Sequence, residues 1–377
     1  MQHQRSISAT FHINNKGLSD QEKDMTHSRF PLSRLGRSVA IGSLLTAGLA
    51  VSAGAQALTV ISFGGASGDA MQQAYYGPFQ ESTGINLTPG DYNGELSRIR
   101  AMVETGNVSW DLVEMESPEL VRGCFEGLFE PIDWGRLGLG NELIDSAFDE
   151  CGVGTFVWST VLAYDADALD TPPTSWADFW DVEQFPGTRG LRRGAKYTLE
   201  FALMADGVPA DEVYGVLESP EGVDRAFAKL DEIKEHIQWW EAGAQPPQWL
   251  VAGDVVMTSS YNGRIAAAQE EGSNLEIVWN ESIYDLDYWA IVSGSEYVDE
   301  AYDFIMFASQ PDTQAAYSSQ IPYGPVHPDA IAQLDEEQAR RMPTHEENME
   351  GALAVDTAFW VDYGEELEQR FNAWAAR

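Results

Sequence analysis

Leu58-Thr59-Val60-Ile61-Ser62-Phe63-Gly64-Gly65 decides the fold of this chain: six β-prone residues, closed by two glycines. Such a run reads as a short strand ended by a turn. Residues 69 to 83 then carry apolar groups at helical spacing until Gly84 stops them. Ile85 to Thr88 reads as a second strand. Glu95 to Gly106 reads as a second helix, with Leu96, Ile99, Met102 and Val103 on one face. Asp111 to Met115 is a third strand, and Ser117-Pro118 starts another helix with proline in its first turn. Strand and helix alternating at this short spacing predict an α/β fold, a mostly parallel sheet flanked by helices. Ligands of such folds gather where the strands end.

The pattern continues to the C-terminus without repeats or low-complexity linkers. Gly154 to Tyr164 is β-rich and aromatic, and Arg189 to Arg193 reads as a basic strand feeding a helix from about Tyr197 to Met204. Amphipathic helices follow near 209–218 and 221–235. Further strands are expected near the end of Val251–Ser260, at Leu275–Trp279 and at Tyr288–Val292, and the last 80 residues read as mostly helical. No glycine-serine hinge separates two modules, so two domains must be lobes joined by crossing strands.

Upstream of Leu58 the composition changes. Arg34 and Arg37 lead into an uncharged run, Ser38 to Gln56, that ends Ala55-Gln56-Ala57. A basic region, a short apolar region and small residues at a cleavage site make a secretory signal peptide, with cleavage expected after Ala57. The run is short and broken by polar residues for a membrane anchor. Residues before Met25 are unlike a leader, which makes Met1 and Met25 alternative starts. An exported chain meets an oxidising compartment, and Cys124 and Cys151 have no other cysteine to pair with. One disulfide is expected, stabilising by roughly 3 kcal/mol in the chain-entropy model.

The whole chain carries 60 acidic and 22 basic residues, a formal charge of -38. Six of the basic and three of the acidic residues precede Leu58, leaving 16 and 57, a charge of -41, for the remainder. A surface so negative repels phosphate backbones, which excludes nucleic-acid binding. With 44% hydrophobic and 11% aromatic residues, the chain is also no disordered acidic tail. Only three lysines follow Leu58 (Lys196, Lys229, Lys234). That lysine-poor, acid-rich surface suits high salt, where screening shortens self-repulsion, and predicts a halophilic source.

Catalytic signatures are missing. No G-x-S-x-G, phosphate-binding loop or H-E-x-x-H occurs, and His236, His327 and His345 lack metal-like spacing. Asp285-Leu286-Asp287 lacks the glycine and distal glutamate of a calcium loop. Neither a cofactor nor a metal is expected. A carboxylate pair would allow an exported hydrolase, the alternative of another class. Tyr75-Tyr76 falls within a helical pattern, where packing suits it better than ferric-ion capture.

Six segments together resemble the spermidine/putrescine-binding group among the periplasmic solute-binding proteins of ABC importers. They are Val60-Ile61-Ser62-Phe63-Gly64-Gly65, Trp110-Asp111-Leu112-Val113, Val161-Leu162-Ala163-Tyr164, Met257-Thr258-Ser259-Ser260-Tyr261-Asn262-Gly263, Tyr284-Asp285-Leu286-Asp287-Tyr288-Trp289-Ala290-Ile291 and Ile321-Pro322-Tyr323-Gly324-Pro325. The resemblance implies the two-lobed, type II periplasmic-binding-protein fold with a ligand cleft between the lobes. Lobe 1 would comprise 58–164 plus about 286–325, and lobe 2 would comprise 165–285 plus about 326–377. It implies a non-enzymatic, monomeric receptor that hands a polyamine or related small amine to membrane permease subunits. By the same resemblance Asp287 pairs with a ligand ammonium, while Phe63, Tyr261 and Tyr323 offer aromatic faces to its methylenes.

One segment departs from the pattern. Arg189-Gly190-Leu191-Arg192-Arg193-Gly194-Ala195-Lys196 stands where polyamine binders hold a second amine with acids. An arginine there, Arg193 or its neighbour Arg192, suits a carboxylate, and Arg264 could add to it. The alternative ligand is thus an ω-amino acid such as 4-aminobutyrate.

Overall fold

The computed structural model describes residues 57–140 and 142–377. The expected leader and both alternative starts lie outside the described residues, apart from Ala57, which begins the first strand. Among the described residues no helix is long and apolar enough to cross a membrane.

Ten strands form one mixed sheet: β1 (Ala57–Ser62), β2 (Asn86–Asp91), β3 (Leu112–Glu116), β4 (Val153–Asp165), β5 (Arg189–Arg192), β6 (Ile237–Trp240), β7 (Met257–Tyr261), β8 (Leu275–Ile291), β9 (Gly324–Pro325) and β10 (Leu353–Ala354). The main order is β2-β1-β3-β8-β4-β7-β5-β6. At one end β2, β1 and β3 run parallel, and at the other β7, β5 and β6 do. Between them β8 and β4 are antiparallel to each other and to their outer neighbours. Each parallel end arises from strand-helix alternation, whereas the centre arises from two long strands. The fold is the two-lobed α/β architecture of type II periplasmic binding proteins.

β8 corrects a sequence expectation. The strands anticipated at 275–279 and 288–292 are one continuous strand of 17 residues. Its polar middle, Asn280 to Asp285, reads as a break, with Glu281 at φ 61. Asn280 to Ser282 fall in the register shift, and pairing resumes at Ile283 to Asp285 with β4 and at Ile283 and Tyr284 with β10. At about 3.3 Å per residue, 17 residues reach roughly 55 Å, enough to serve both lobes. The 13-residue β4 does the same beside it, with register shifts at Gly154/Phe156 and Thr160/Leu162.

Helix begins at Gly65, earlier than expected, and runs to Thr83 through a π turn over Gln72–Tyr76. Tyr75 and Tyr76 are buried there, and Tyr75 stacks on Tyr317 at 4.9 Å, a packing role. The last helix, Thr357–Ala375, buries Trp360, Phe371 and Trp374. Cys124 and Cys151 are disulfide-bonded, as the exported setting predicted.

Candidate functional site

Glu114 and Glu116 are two residues apart on β3 and leave the sheet on one face. Register sets Glu116 opposite Asp287 of β8, and Asp287 in turn opposite Phe156 of β4. Trp158, two residues beyond Phe156, donates its indole N–H to Asp287 Oδ1 at 2.8 Å. Sheet pairing alone thus gathers three acids and two aromatics.

The loops add the rest. After β1, the Phe63 amide donates to Glu114 Oε2 at 2.9 Å, and the Phe63 ring stacks on Tyr92. Gly65 has φ 57, and a Cβ there would meet Arg264 Nη1 at 2.2 Å, so glycine meets both the backbone and the close approach. On the opposite side, β7 ends at Tyr261 and the helix Asn262–Glu270 begins. Asn262 fixes that start: its Oδ1 accepts from the Ser159 amide at 3.0 Å, and its Nδ2 donates to Pro322 O at 2.7 Å. One turn in, Arg264 donates from Nη2 to Phe63 O at 3.3 Å.

These side chains enclose a tight cavity with about 30 Å³ of space for water. Phe63, Phe156, Trp158, Tyr261 and Tyr323 supply its aromatic walls. Phe156 stacks on Tyr323 at 5.0 Å, and Trp158 meets Tyr261 edge-on at 5.1 Å. A smaller adjoining space of about 20 Å³ shares Phe63 and Glu116 and reaches Glu119 and Arg192.

Its charges are unevenly answered. Asp287 is 4% and Glu114 1% exposed, and neither has an ion pair among the described residues. Burial, with the Glu114 charge beside it, pushes the Asp287 carboxyl well above the usual range, and burial raises Glu114 too. Two adjacent buried carboxyls cannot both ionise cheaply without a cation. Arg264 is 6% exposed, and its Nε and Nη1 have no hydrogen-bond partner. A buried guanidinium with free donors is suited to a carboxylate. For Glu116, burial pushes upward but Lys196 and Arg192 prevail, holding it below the usual range.

Phe63, Tyr261, Asp287 and Tyr323, singled out in the sequence, line this one cavity. Arg193 does not. Its amide donates to Trp240 O, and its exposed side chain pairs with Glu241 at 3.2 Å. Arg192 and Arg193 are consecutive at a strand end, and successive side chains point to opposite sides. Arg192 therefore borders the adjoining space while Arg193 turns outward. The fully buried Arg189 donates to the carbonyls of Phe179, Gly187 and Asp181. Arg264 is the guanidinium that lines the main cavity.

Sequence reasoning missed Glu114, Glu116, Phe156 and Trp158. Glu114 and Glu116 had a signal: two acids at strand spacing in an otherwise apolar run are expensive to bury unless used. Phe156 and Trp158 had none, since β4 is buried almost throughout and its aromatics look like core.

A cleft lined by aromatics and opposed charges, between lobes joined by crossing strands, defines a solute-binding protein. The chain belongs to the family of bacterial extracellular solute-binding proteins, which residues 74–344 match. Among individual relatives, the gamma-aminobutyric acid-binding protein of Pseudomonas aeruginosa is 61% identical over 334 residues, 88% of this chain and 95% of that protein. A solved structure of a GABA receptor has a TM-score of 0.75 at 32% identity, covering 85% of this chain and 98% of the other. The PBP AgtB from A. tumefaciens R10 in complex with agropinic acid has a TM-score of 0.79 at 30% identity, covering 85% and 98%. The spermidine/putrescine-binding periplasmic protein of Escherichia coli K12 is 23% identical over 255 residues, 65% of this chain and 71% of that protein. The kinship with polyamine binders is therefore distant. The family consists of solute-binding proteins and not of enzymes, which sets the hydrolase alternative aside. The chain is a substrate-binding protein of an ABC importer.

Proposed function

We propose that this protein is the periplasmic receptor for an ω-amino acid of the 4-aminobutyrate type and delivers it to the membrane subunits of an importer. The single observation that carries the reading is the presence, on one cavity, of buried Arg264 with unpartnered donors and of the Asp287–Glu114 pair, which has no ion-pair partner among the described residues. Arg264 takes the carboxylate. Asp287 and Glu114 take the ammonium, whose charge relieves their mutual repulsion. Phe63, Tyr261 and Tyr323 cover the methylenes, with cation-π attraction worth roughly 0.5–2 kcal/mol near the ammonium. The 61% identical gamma-aminobutyric acid-binding protein supports the choice over a plain diamine, for which Arg264 would be a repulsive neighbour.

The division into lobes, 58–164 with about 286–325 and 165–285 with about 326–377, is part of the proposal. Val326 and His327, whose amides donate to Gln314 Oε1, tie the first residues of that last segment to lobe 1. Closure of the lobes around ligand is the state a permease would sense. Export through a leader cleaved after Ala57, and function as a monomer, belong to the same reading.

Calorimetry against 4-aminobutyrate, putrescine and spermidine tests the reading. 4-Aminobutyrate should bind with the highest affinity, and Arg264→Gln should weaken it by about a hundredfold, the scale of a lost charge-assisted pair. Spermidine binding as tightly as 4-aminobutyrate, or an Arg264→Gln variant with full affinity, would refute it.

A further inference from the structure

Of the three carboxylates on the central cavity, Glu116 carries a cation of its own. Lys196 Nζ lies 2.6 Å from Glu116 Oε2 and contacts both oxygens of Glu119, at 2.7 and 2.6 Å. The Tyr197 hydroxyl donates to that same Oε2 at 2.8 Å. Lys196 is only 6% exposed, so this is an internal ion pair and not a solvated one.

The backbone is shaped to deliver it. Tyr197 has φ 71, a left-handed conformation that a bulky residue adopts only under constraint. Glu368 Oε1 of the last helix accepts from the amides of Ala195 and Lys196 at 2.8 and 3.3 Å, holding the loop. Arg192, the other cation at this end, lies over the Tyr197 ring at 5.5 Å and makes no side-chain hydrogen bond to Glu116. The Glu116 carboxylate is thus answered at short range by Lys196 and Tyr197.

A diamine needs two anionic ends. Asp287 with Glu114 could supply one, and Glu116 with Glu119 is the natural second. Lys196 already fills that second end with a primary ammonium on a four-carbon stem, the chemical equivalent of half a diamine. We propose that Lys196 is a built-in stand-in for a second ligand ammonium, a specificity-determining residue that makes the cavity reject diamines in favour of ligands with a single ammonium. It acts through Glu116 and is a positioning residue that need not touch the ligand. This inference rests on the ω-amino-acid reading given above.

The test is calorimetry of the full mature protein, Lys196→Met and Glu116→Gln/Lys196→Met with putrescine and 4-aminobutyrate. Removing the close cation of Glu116 in Lys196→Met, with only the more distant Arg192 left beside it, should tighten putrescine binding by roughly tenfold or more, as a buried carboxylate that has lost its short ion pair gains a ligand ammonium. It should not tighten 4-aminobutyrate. The double variant, with neither charge, should lose the putrescine gain, a dependence on charge sign that a structural role would not produce. Putrescine should also raise the melting temperature of Lys196→Met more than 4-aminobutyrate does, the reverse of the wild-type order. A Lys196→Met protein without improved putrescine binding, one whose gain persists in the double variant, or one that putrescine cannot stabilise into a folded state overturns the inference. Wild-type protein that binds putrescine as tightly as 4-aminobutyrate overturns instead the reading on which it rests.

Discussion

Trp158 and Asp287 are diagonal neighbours across the β4–β8 ladder, and the indole N–H of the first donates to Oδ1 of the second at 2.8 Å. That bond fixes one oxygen of a buried carboxylate in the cavity wall and leaves the other beside Glu114. A side chain so held is pre-organised for a ligand cation.

Asp287→Asn should therefore reduce 4-aminobutyrate affinity by about a hundredfold while leaving the melting temperature unchanged or higher, because a repelled buried carboxyl is removed. Trp158→Phe keeps the ring and loses the donor, and about tenfold is expected. Calorimetry paired with thermal unfolding checks both. Full affinity in Asp287→Asn would end the ammonium assignment.

Glu200 sits fully buried between Trp360 Nε1 at 2.9 Å and the Tyr214 hydroxyl at 3.1 Å, with its Oε2 unpartnered. Burial pushes its carboxyl up to about 7. The native state then holds a proton that the unfolded chain releases from about pH 4.5 upward, so stability falls as pH rises from about 4.5 to 7 and levels off above. Glu200→Gln should be more stable than wild type by about 3 kcal/mol at pH 8 and by little at pH 4.5. Urea denaturation at the two pH values measures the difference. Asp285, also raised by burial to about 7, adds a decline of the same sign that the variant retains.

Cys124 lies in the last turn of the helix Ser117–Phe125 and Cys151 precedes β4, so the disulfide closes a segment that does not line the cavity. Replacing both cysteines with alanine should cost about 2–4 kcal/mol of stability. 4-Aminobutyrate affinity should stay within about twofold, since no cavity contact changes. Denaturant midpoints and calorimetry separate the two effects, and a large loss of affinity at unchanged stability would contradict this placement.

The excess of acidic residues predicts a salt response. With 57 acids against 16 basic residues from Leu58 onward, like-charge repulsion is the main long-range term, and at 0.1 M salt its reach shortens to about 10 Å. The melting temperature should climb as sodium chloride is raised from a few millimolar. A flat or falling melting temperature would count against it.

The local pattern made the ends of the sheet readable. Strands such as Leu58 to Phe63 and Asp111 to Met115 carry β-branched and apolar residues between turn signals, and that periodicity survives tertiary packing. The middle was not readable in the same way. Asn280 to Ser282 looks like a break because its residues are polar, and only the pairing of Ile283 to Asp285 with β4 and β10 beyond it carries the chain on as one strand. At the site, Asp287 and Tyr261 stand in motifs that can be seen along the chain. Arg264 gained its place over the more conspicuous Arg193 because a helix start tethered by Asn262 aims it across the cleft, while Arg193 falls on the outward side of a strand end.

The amino-acid order alone therefore determined an α/β chain with an export-type leader composition, since composition and periodicity are properties of neighbouring residues, while the receptor role and its candidate aromatic and acidic groups came through the resemblance of short motifs to solute-binding proteins. Which charges meet in the cavity was decided by tertiary structure alone. Asp287 meets Glu114, Lys196 meets Glu116 and Arg264 reaches Phe63 over separations of 80 to 201 residues for the latter two pairs, and the energy of a charge depends on the groups folding places beside it.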